Sequence, residues 1–258
     1  RDMAAAFATY ANEGVYRQAR TFTKVFDSNG DLVLDNTQKS EQILSKKSVD
    51  YMNYCLVNAT QNGTGWEAAL SGITTAGKTG TTTGNKARWY CGFTGYYTAA
   101  VWTGFDEPEW INTPYVNNPA AVLFRKVMSP LHKGLSNIRL YDSNAMLGVQ
   151  VCLDSGKLVT DACRADIRAV DGFTRLANAA VYSEDYPSEV CDKHVMVDYC
   201  SHGGVANEYC KLFAQKDETV TITQKSLVKL TQSEVYDIYR ASQCGLEAAY
   251  CGNEWIYL

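Results

Sequence analysis

Apolar residues recur with helical spacing in three stretches of the first half of the chain and alternate with polar ones in several shorter stretches. Met3, Phe7, Tyr10 and Ala11 stand at i, i+4, i+7 and i+8, one face of a helix that Gly14 is placed to end in a left-handed cap. Val49, Met52, Leu56 and Ala59 keep a helical spacing after Ser45, an N-cap residue type, and that helix ends at Asn62-Gly63. Cys55 lies beside the stripe and is expected as a buried free thiol. Between Asn118 and Leu131 a third helix places Ala121, Phe124, Val127 and Met128 on one side, with His132 at its end expected as a capping or solvent-exposed residue.

Strand patterns fill the intervals. Thr21 to Phe26 and Leu32 to Leu34 flank Asp27-Ser28-Asn29-Gly30-Asp31, and the Asn-Gly pair favours the positive φ angles of a tight hairpin turn. The β-branched run from Ile73 to Thr75 predicts a strand edge, and Trp89 to Phe93 with Tyr97 to Phe105 predict an antiparallel pair turned at Thr94-Gly95-Tyr96. Helices packed on an antiparallel sheet make the fold class α+β.

From Ser136 the pattern changes to short segments separated by cysteines. An internal echo appears: Val149-x-x-Cys152-x-x-x-Gly156 with Cys163 is matched by Val197-x-x-Cys200-x-x-x-Gly204 with Cys210. Two domains follow, 1–135 and a small, β-rich, cysteine-rich 136–258, the latter with a helix-like stretch in Ser233 to Ala249 that puts Val235, Ile238 and Tyr239 on one side.

Composition narrows the class. With 258 residues, 46% hydrophobic, 20% charged and a formal charge of -4, the chain reads as a soluble globular protein with no basic field for a nucleic acid. No run has the length of a membrane-spanning helix, and Arg1 to Phe7 reads as an amphipathic helix already under way, so the chain is expected to begin inside a domain. Of nine cysteines, seven stand from Cys152 onward, the density of an exported, oxidised module. The echo predicts disulfides Cys152–Cys163 and Cys200–Cys210, and proximity adds Cys244–Cys251. Cys55 and Cys91 are expected reduced and Cys191 is left as the odd thiol. A zinc module on Cys191-x-x-His194, Cys200, His202 and Cys210 is the weaker alternative, since local bridges explain the echo more simply, and no metal is expected.

The chemistry concentrates in Thr74-Thr75-Ala76-Gly77-Lys78-Thr79-Gly80-Thr81-Thr82. It sets one ammonium among hydroxyls, with Gly77 and Gly80 expected to bare the backbone to a ligand. Lys78 would attract an anion, Thr79 and Thr81 would donate hydrogen bonds to it, and a nearby amide would hold a developing oxyanion, which suits a carboxylate-bearing acyl substrate. K-T-G alone is weak evidence, because roughly one chain in thirty of this length contains it by chance.

The ordered succession A-A-F-A-T-Y-A-N-E-G (Ala5 to Gly14), N-G-T-G (Asn62 to Gly65), A-G-K-T-G-T-T (Ala76 to Thr82) and G-F-T-G-Y-Y-T-A-A-V-W-T-G-F-D (Gly92 to Asp106) resembles the transpeptidase domain of class A penicillin-binding proteins, over the first half of the chain. The resemblance implies the penicillin-binding, β-lactamase-like fold in part. It also implies a peptidoglycan D,D-transpeptidase that cross-links stem peptides through a serine acyl-enzyme and binds penicillin and other β-lactams. Lys78 and Thr81 would be catalytic, Thr81 through a backbone amide forming half of the oxyanion hole, and Lys78, Thr79, Gly80, Thr81 and Thr82 would bind the substrate. The family's Ser-x-x-Lys and Ser-x-Asn motifs precede the Ala5 to Gly14 helix, so the nucleophile, a glycosyltransferase domain and the membrane anchor are expected upstream of Arg1, and this chain alone is expected to be inactive.

Tyr10-Ala11-Asn12 matches a Tyr-x-Asn variant of the second motif, but in the family these positions end a structural helix. Ser226-Leu227-Val228-Lys229, the chain's own Ser-x-x-Lys, falls in the reverse order and is expected as a surface Ser and Lys on a strand. Ala87 stands where the family commonly has an acid, which leaves Arg88 without its usual partner, and Gly95 stands where a proline is usual. The resemblance implies no cofactor, the extracytoplasmic face of the bacterial membrane, and other cell-wall synthesis proteins as partners. The alternative is a non-catalytic module that recognises cell-wall peptides or scaffolds partners.

Overall fold

The computed structural model describes residues 1–113, 116–166, 168–169, 174–202, 204–230, 248–251 and 254–257, the last two stretches by their backbone. The chain divides into two compact units, Arg1–Asp142 and Ser143–Leu258.

In the first unit, helix α1 (Asp2–Ala11) ends where Gly14, at φ 89°, turns its N–H back to the Thr9 carbonyl at 2.8 Å. Strand β1 (Val15–Arg17) pairs with β4 (Ser40–Gln42), and between them lies the hairpin of β2 (Lys24–Phe26) and β3 (Leu32–Asp35). The Asn-Gly turn forms as expected: Gly30 sits at φ 89°, and Asp27 Oδ1 accepts from the N–H groups of Asn29 and Asp31 at 2.8 and 2.9 Å.

Helix α2 (Lys46–Gln61) starts at Ser45, whose hydroxyl accepts from the Ser48 N–H at 3.2 Å. Its inner face is Val49, Asn53, Leu56, Val57 and Thr60. Three polar residues of α2, Asp50, Asn53 and Thr60, are buried, and Asn53 Nδ2 donates to the carbonyls of Tyr10 and Leu140 at 3.0 and 2.7 Å. That rotation of the face leaves Met52 and Cys55 exposed, so the Cys55 thiol is not buried as the apolar stripe suggests.

Strands β5 (Ala76–Thr81), β6 (Ala87–Phe93) and β7 (Thr98–Gly104) form an antiparallel sheet in that order, with β5 on the edge. Alternation along β6 sends Tyr90 to one side of the sheet and Phe93 to the other. Tyr90 packs with Phe124 and Met128 of helix α3 (Pro119–Leu131), and Phe93 with Leu56, Val57 and Phe7. Burying Phe124 completely contributes about 2 to 3 kcal/mol. His132 caps α3 and is buried rather than exposed: its Nδ1–H donates to the Met128 carbonyl, and Nε2 accepts from the Thr94 hydroxyl, each at 2.7 Å.

This unit runs past the expected boundary at 136. Asn137 Oδ1 accepts from the Thr74 N–H at 2.7 Å, and Leu140 and Tyr141 pack on the Phe93 cluster, which ties residues 137–142 to the sheet. Helices on an antiparallel sheet give the α+β class expected. No helix among the described residues is long and apolar enough to cross a membrane.

In the second unit, β8 (Met146–Cys152) pairs with β9 (Leu176–Tyr182), and helix α4 (Asp161–Arg164) lies between them in sequence. Then β10 (His194–Cys200), helix α5 (Glu208–Ala214), β11 (Ile222–Leu230), β12 (Ala248–Cys251) and β13 (Glu254–Tyr257) follow, with an antiparallel sheet in the order β10-β11-β13-β12.

The sequence echo is a repeated path. Each copy runs strand to cysteine, turns through a positive-φ glycine (Gly156 at 71°, Gly204 at 95°), and enters a short helix through a side-chain cap, Thr160 or Asn207, onto Cys163 or Cys210. The same path does not produce the expected bridges: Cys152, Cys163, Cys191, Cys200 and Cys210 are free thiols. Cys244, the Cys251 side chain and the helix-like residues 233–247 lie outside the described residues. Ser226, expected on the surface, is buried in β11, where its hydroxyl donates to the Ala162 carbonyl at 2.5 Å.

Candidate functional site

Strand β5 sits at the sheet edge because its sequence is short of core side chains: Ala76 and Gly77 are buried, and Lys78, Thr79, Gly80 and Thr81 are open to varying degrees. Register with β6 pairs Lys78 with Cys91, Thr79 with Tyr90, Gly80 with Trp89 and Thr81 with Arg88. Beside the strand is an open depression of about 380 Å³ lined by Met3, Phe7, Lys78, Gly80, Trp89 and Cys91.

Lys78 is exposed, and its Nζ donates to the carbonyl and hydroxyl of Thr79 at 3.2 and 3.3 Å. The Thr79 hydroxyl lies 2.8 Å from that of Thr64. The N-G-T-G stretch and the Lys78 strand, whose contacting threonines are 15 residues apart in sequence, thus meet at one point. Two residues on, the Thr81 hydroxyl accepts from Arg88 Nη1 at 2.8 Å. Arg88 therefore has a partner despite Ala87 standing where an acid is common, although its buried Nε has none among the described residues. The strand carries two hydroxyls between an ammonium and a guanidinium, a cationic, donor-rich edge suited to a carboxylate.

Backbone orientation adds a second element. The Thr82 N–H donates to the Ala87 carbonyl at 3.1 Å, toward β6. Alternation along the strand then turns the Thr81 N–H to the outer edge of β5, away from the sheet. An amide so directed is free to meet a ligand oxygen lying along that edge.

The other expected residues have partners of their own. Thr82 Oγ1 accepts from the Ala87 N–H at 2.8 Å and closes the β5–β6 connection. Gly77 faces the core, where an added β-carbon would fall 2.6 Å from Tyr90 Cζ, and at Gly80 it would stand 3.1 Å from Trp89 Cβ. Packing against β6 explains both glycines without a ligand. Asn12 of the Tyr-x-Asn match donates to the Val15 carbonyl at 3.0 Å and finishes α1.

Two contributors lacked a role in the sequence: Thr64, whose only signal was its place in N-G-T-G, and Glu67 in the following turn. Glu67 is buried, and its two carboxylate oxygens accept from the N–H groups of Asn117 and Asn118 at 3.0 and 2.7 Å, ahead of α3.

Residues 2–128 match the family described as the penicillin binding protein transpeptidase domain. Penicillin-binding protein 1A of Clostridium perfringens (strain ATCC 13124) is 33% identical over 195 residues, covering 74% of this chain and 23% of that protein. Penicillin-binding protein 1A/1B of Bacillus subtilis (strain 168) is 28% identical over 204 residues, 72% of this chain and 22% of that protein. The chain thus spans about a quarter of the length of these relatives. Among solved structures, penicillin-binding protein 1A from Haemophilus influenzae aligns with a TM-score of 0.55 at 17% identity, over 74% of this chain and 32% of that one, a likeness of fold.

Proposed function

Residues 2–128 belong to the penicillin-binding protein transpeptidase family, and from that premise we propose that β5 is one wall of a peptidoglycan D,D-transpeptidase site. The donor is the D-Ala-D-Ala end of a stem peptide. A serine supplied by another part of the parent protein attacks it, an amine on a second stem peptide resolves the acyl-enzyme, and β-lactams take the donor's place.

The Thr81 amide carries this reading, because strand alternation turns its N–H to the outer edge of β5, the strand on which Lys78 bonds to the Thr79 hydroxyl and Arg88 to the Thr81 hydroxyl. Lys78 supplies the positive field for the substrate's terminal carboxylate, Thr79 and Thr81 donate hydrogen bonds to it, and Arg88 holds the Thr81 side chain in place. The Thr81 N–H meets the oxygen that becomes negative when the serine adds, an interaction worth about 3 kcal/mol in the transition state. A substrate polymer outside the cytoplasm puts this unit on the extracytoplasmic face of the bacterial membrane, among other proteins of cell-wall synthesis.

In the full-length parent, Lys78→Ala is expected to slow acylation by a fluorescent penicillin by about a hundredfold or more. Its thermal midpoint should hardly move, since among the described residues Lys78 bonds only to Thr79. An unchanged acylation rate overturns the assignment. The present chain alone should keep its intact mass after incubation with penicillin; an adduct on any of its serines, Ser226 included, overturns the placing of the nucleophile elsewhere.

A further inference from the structure

Three cysteines and a histidine from separate parts of the second unit converge in its interior. Cys152 ends β8, Cys163 lies on α4, Cys191 precedes β10 and His194 begins it. All four are buried, at 0%, 1%, 6% and 4% relative exposure, and Val159 and Leu176 are the partly buried apolar side chains packed on the three cysteines among the described residues. Their ligand atoms, three Sγ and one imidazole nitrogen, all lie within 4.8 Å of one another.

The spacing fits a single ion. Tetrahedral zinc with ordinary Zn–S and Zn–N bonds puts its ligand atoms about 3.6 to 3.8 Å apart. Here His194 Nδ1 is 3.4 Å from both Cys152 Sγ and Cys191 Sγ. Three soft sulfurs and one imidazole fill the coordination sphere and leave no open position, which is the composition of a structural rather than a catalytic site.

The histidine is oriented as a ligand. Its Nε2 lies 2.8 Å from Asp166 Oδ2, a carboxylate that can only accept, and 3.3 Å from Arg168 Nη2, which can only donate; the shorter contact assigns the proton to Nε2, leaving the Nδ1 lone pair for the sulfurs. Asp166 is itself held by Arg168, through Nη2 at 2.6 Å and the Arg168 N–H at 2.9 Å. Arg168 Nη2 also reaches Asp154 at 2.7 Å, and Arg175 Nη2 reaches the same carboxylate at 2.6 Å. This outer layer fixes ring and tautomer as metal-binding histidines require. It also occupies the oxygens of Asp154 and Asp166, so the carboxylates are not a rival cation site.

The sulfurs are prepared too. Cys163 Sγ receives the Thr160 N–H at 3.4 Å and lies 3.3 Å from the Thr160 hydroxyl. A Cys152–Cys163 bridge would use two of the sulfurs and leave Cys191 and the oriented imidazole buried without a role. We propose that Cys152, Cys163, Cys191 and His194 form a structural zinc site that staples the β8–β9 hairpin and α4 to the start of β10. Binding releases the thiol protons, and the metal stabilises a unit whose own apolar core is small. This site stands apart from the transpeptidase reading of the first unit and does not depend on it.

The test is metal content of the whole chain, produced with zinc in the medium and purified under reducing conditions. Inductively coupled plasma mass spectrometry should find about one zinc per chain, as a closed Cys3His site requires. Cys191→Ser and His194→Ala should lose most of it, and Cys55→Ser, at an exposed thiol, should keep it. Because ligand variants can misfold, the unaltered apo chain is also titrated with Co2+. Sulfur-to-cobalt charge-transfer bands and intense visible bands saturating at about one equivalent report tetrahedral thiolate ligation. Asp166→Asn should weaken zinc binding about 10- to 100-fold against a chromophoric chelator, with the cobalt spectrum retained. A metal-free chain with no cobalt spectrum, zinc retained in full by Cys191→Ser, or non-reduced peptide mapping that finds Cys152, Cys163 or Cys191 in a disulfide would each overturn the proposal.

Discussion

Gly77 lies directly over the Tyr90 ring: a β-carbon there would fall against the Tyr90 hydroxyl, 2.6 Å from Cζ and 2.8 Å from the Cys91 carbonyl oxygen. The residue before Lys78 is therefore a glycine because of the core behind it. Gly77→Ala should destabilise the first unit by about 1 to 3 kcal/mol through overpacking. In a Tyr90→Phe background the loss should be smaller, since one of the obstructing atoms is gone. Chemical denaturation of the four variants in the cycle measures this, and equal losses in both backgrounds would refute it.

Tyr90 is also a titrating element of the core. Burial, partly opposed by the hydrogen bond to the Thr60 hydroxyl at 3.0 Å, pushes its phenol up to about 12 from an ordinary 10.0. The folded state thus holds a proton that the unfolded chain releases first. Its contribution to stability is whole below pH 10 and is lost as pH rises through 12, by about 2 kcal/mol at the upper end. Tyr90→Phe should flatten the alkaline limb of the stability profile by that amount. A profile unchanged by the substitution would show that other groups govern it.

Glu67 anchors the entry to α3 through two backbone N–H groups. Glu67→Gln keeps the shape but loses the charge and one acceptor, and should cost about 2 kcal/mol. Glu67→Ala should cost more, because both buried donors then lack a partner. Thermal unfolding of the two variants gives the order, and a neutral Glu67→Ala would contradict the buried geometry.

The His132 imidazole joins the end of α3 to the β6–β7 turn through Thr94. Thr94 Oγ1 also accepts from the N–H groups of Tyr96 and Tyr97 at 3.1 and 3.2 Å, so the hydroxyl is fully used. A double-mutant cycle of His132→Ala and Thr94→Val should show a coupling of about 1 kcal/mol or more. Additive losses would mean that the two residues act separately.

Local sequence determined those parts of the protein whose cause is local. Asn29-Gly30 specified its hairpin through positive φ, Gly14 ended α1, Ser45 opened α2, and the strand patterns of Trp89 to Phe93 and Tyr97 to Phe105 marked β6 and β7 to within two residues. The ordered motifs also pointed to the transpeptidase family, whose model matches residues 2–128. What turns on which face meets which element was not legible. Leu56 and Ala59 gave the right helix, but Asn53 and Thr60 found partners in the core, turning Cys55 outward. Ser226 found the Ala162 carbonyl from 64 residues away, which no spacing rule anticipates. The echo of Cys152 and Cys200 correctly described a repeated backbone path, yet that path leaves Cys152, Cys163, Cys200 and Cys210 as free thiols. Convergence of Cys152, Cys163, Cys191 and His194 depends on how β8, α4 and β10 pack, and only the folded chain supplies that information.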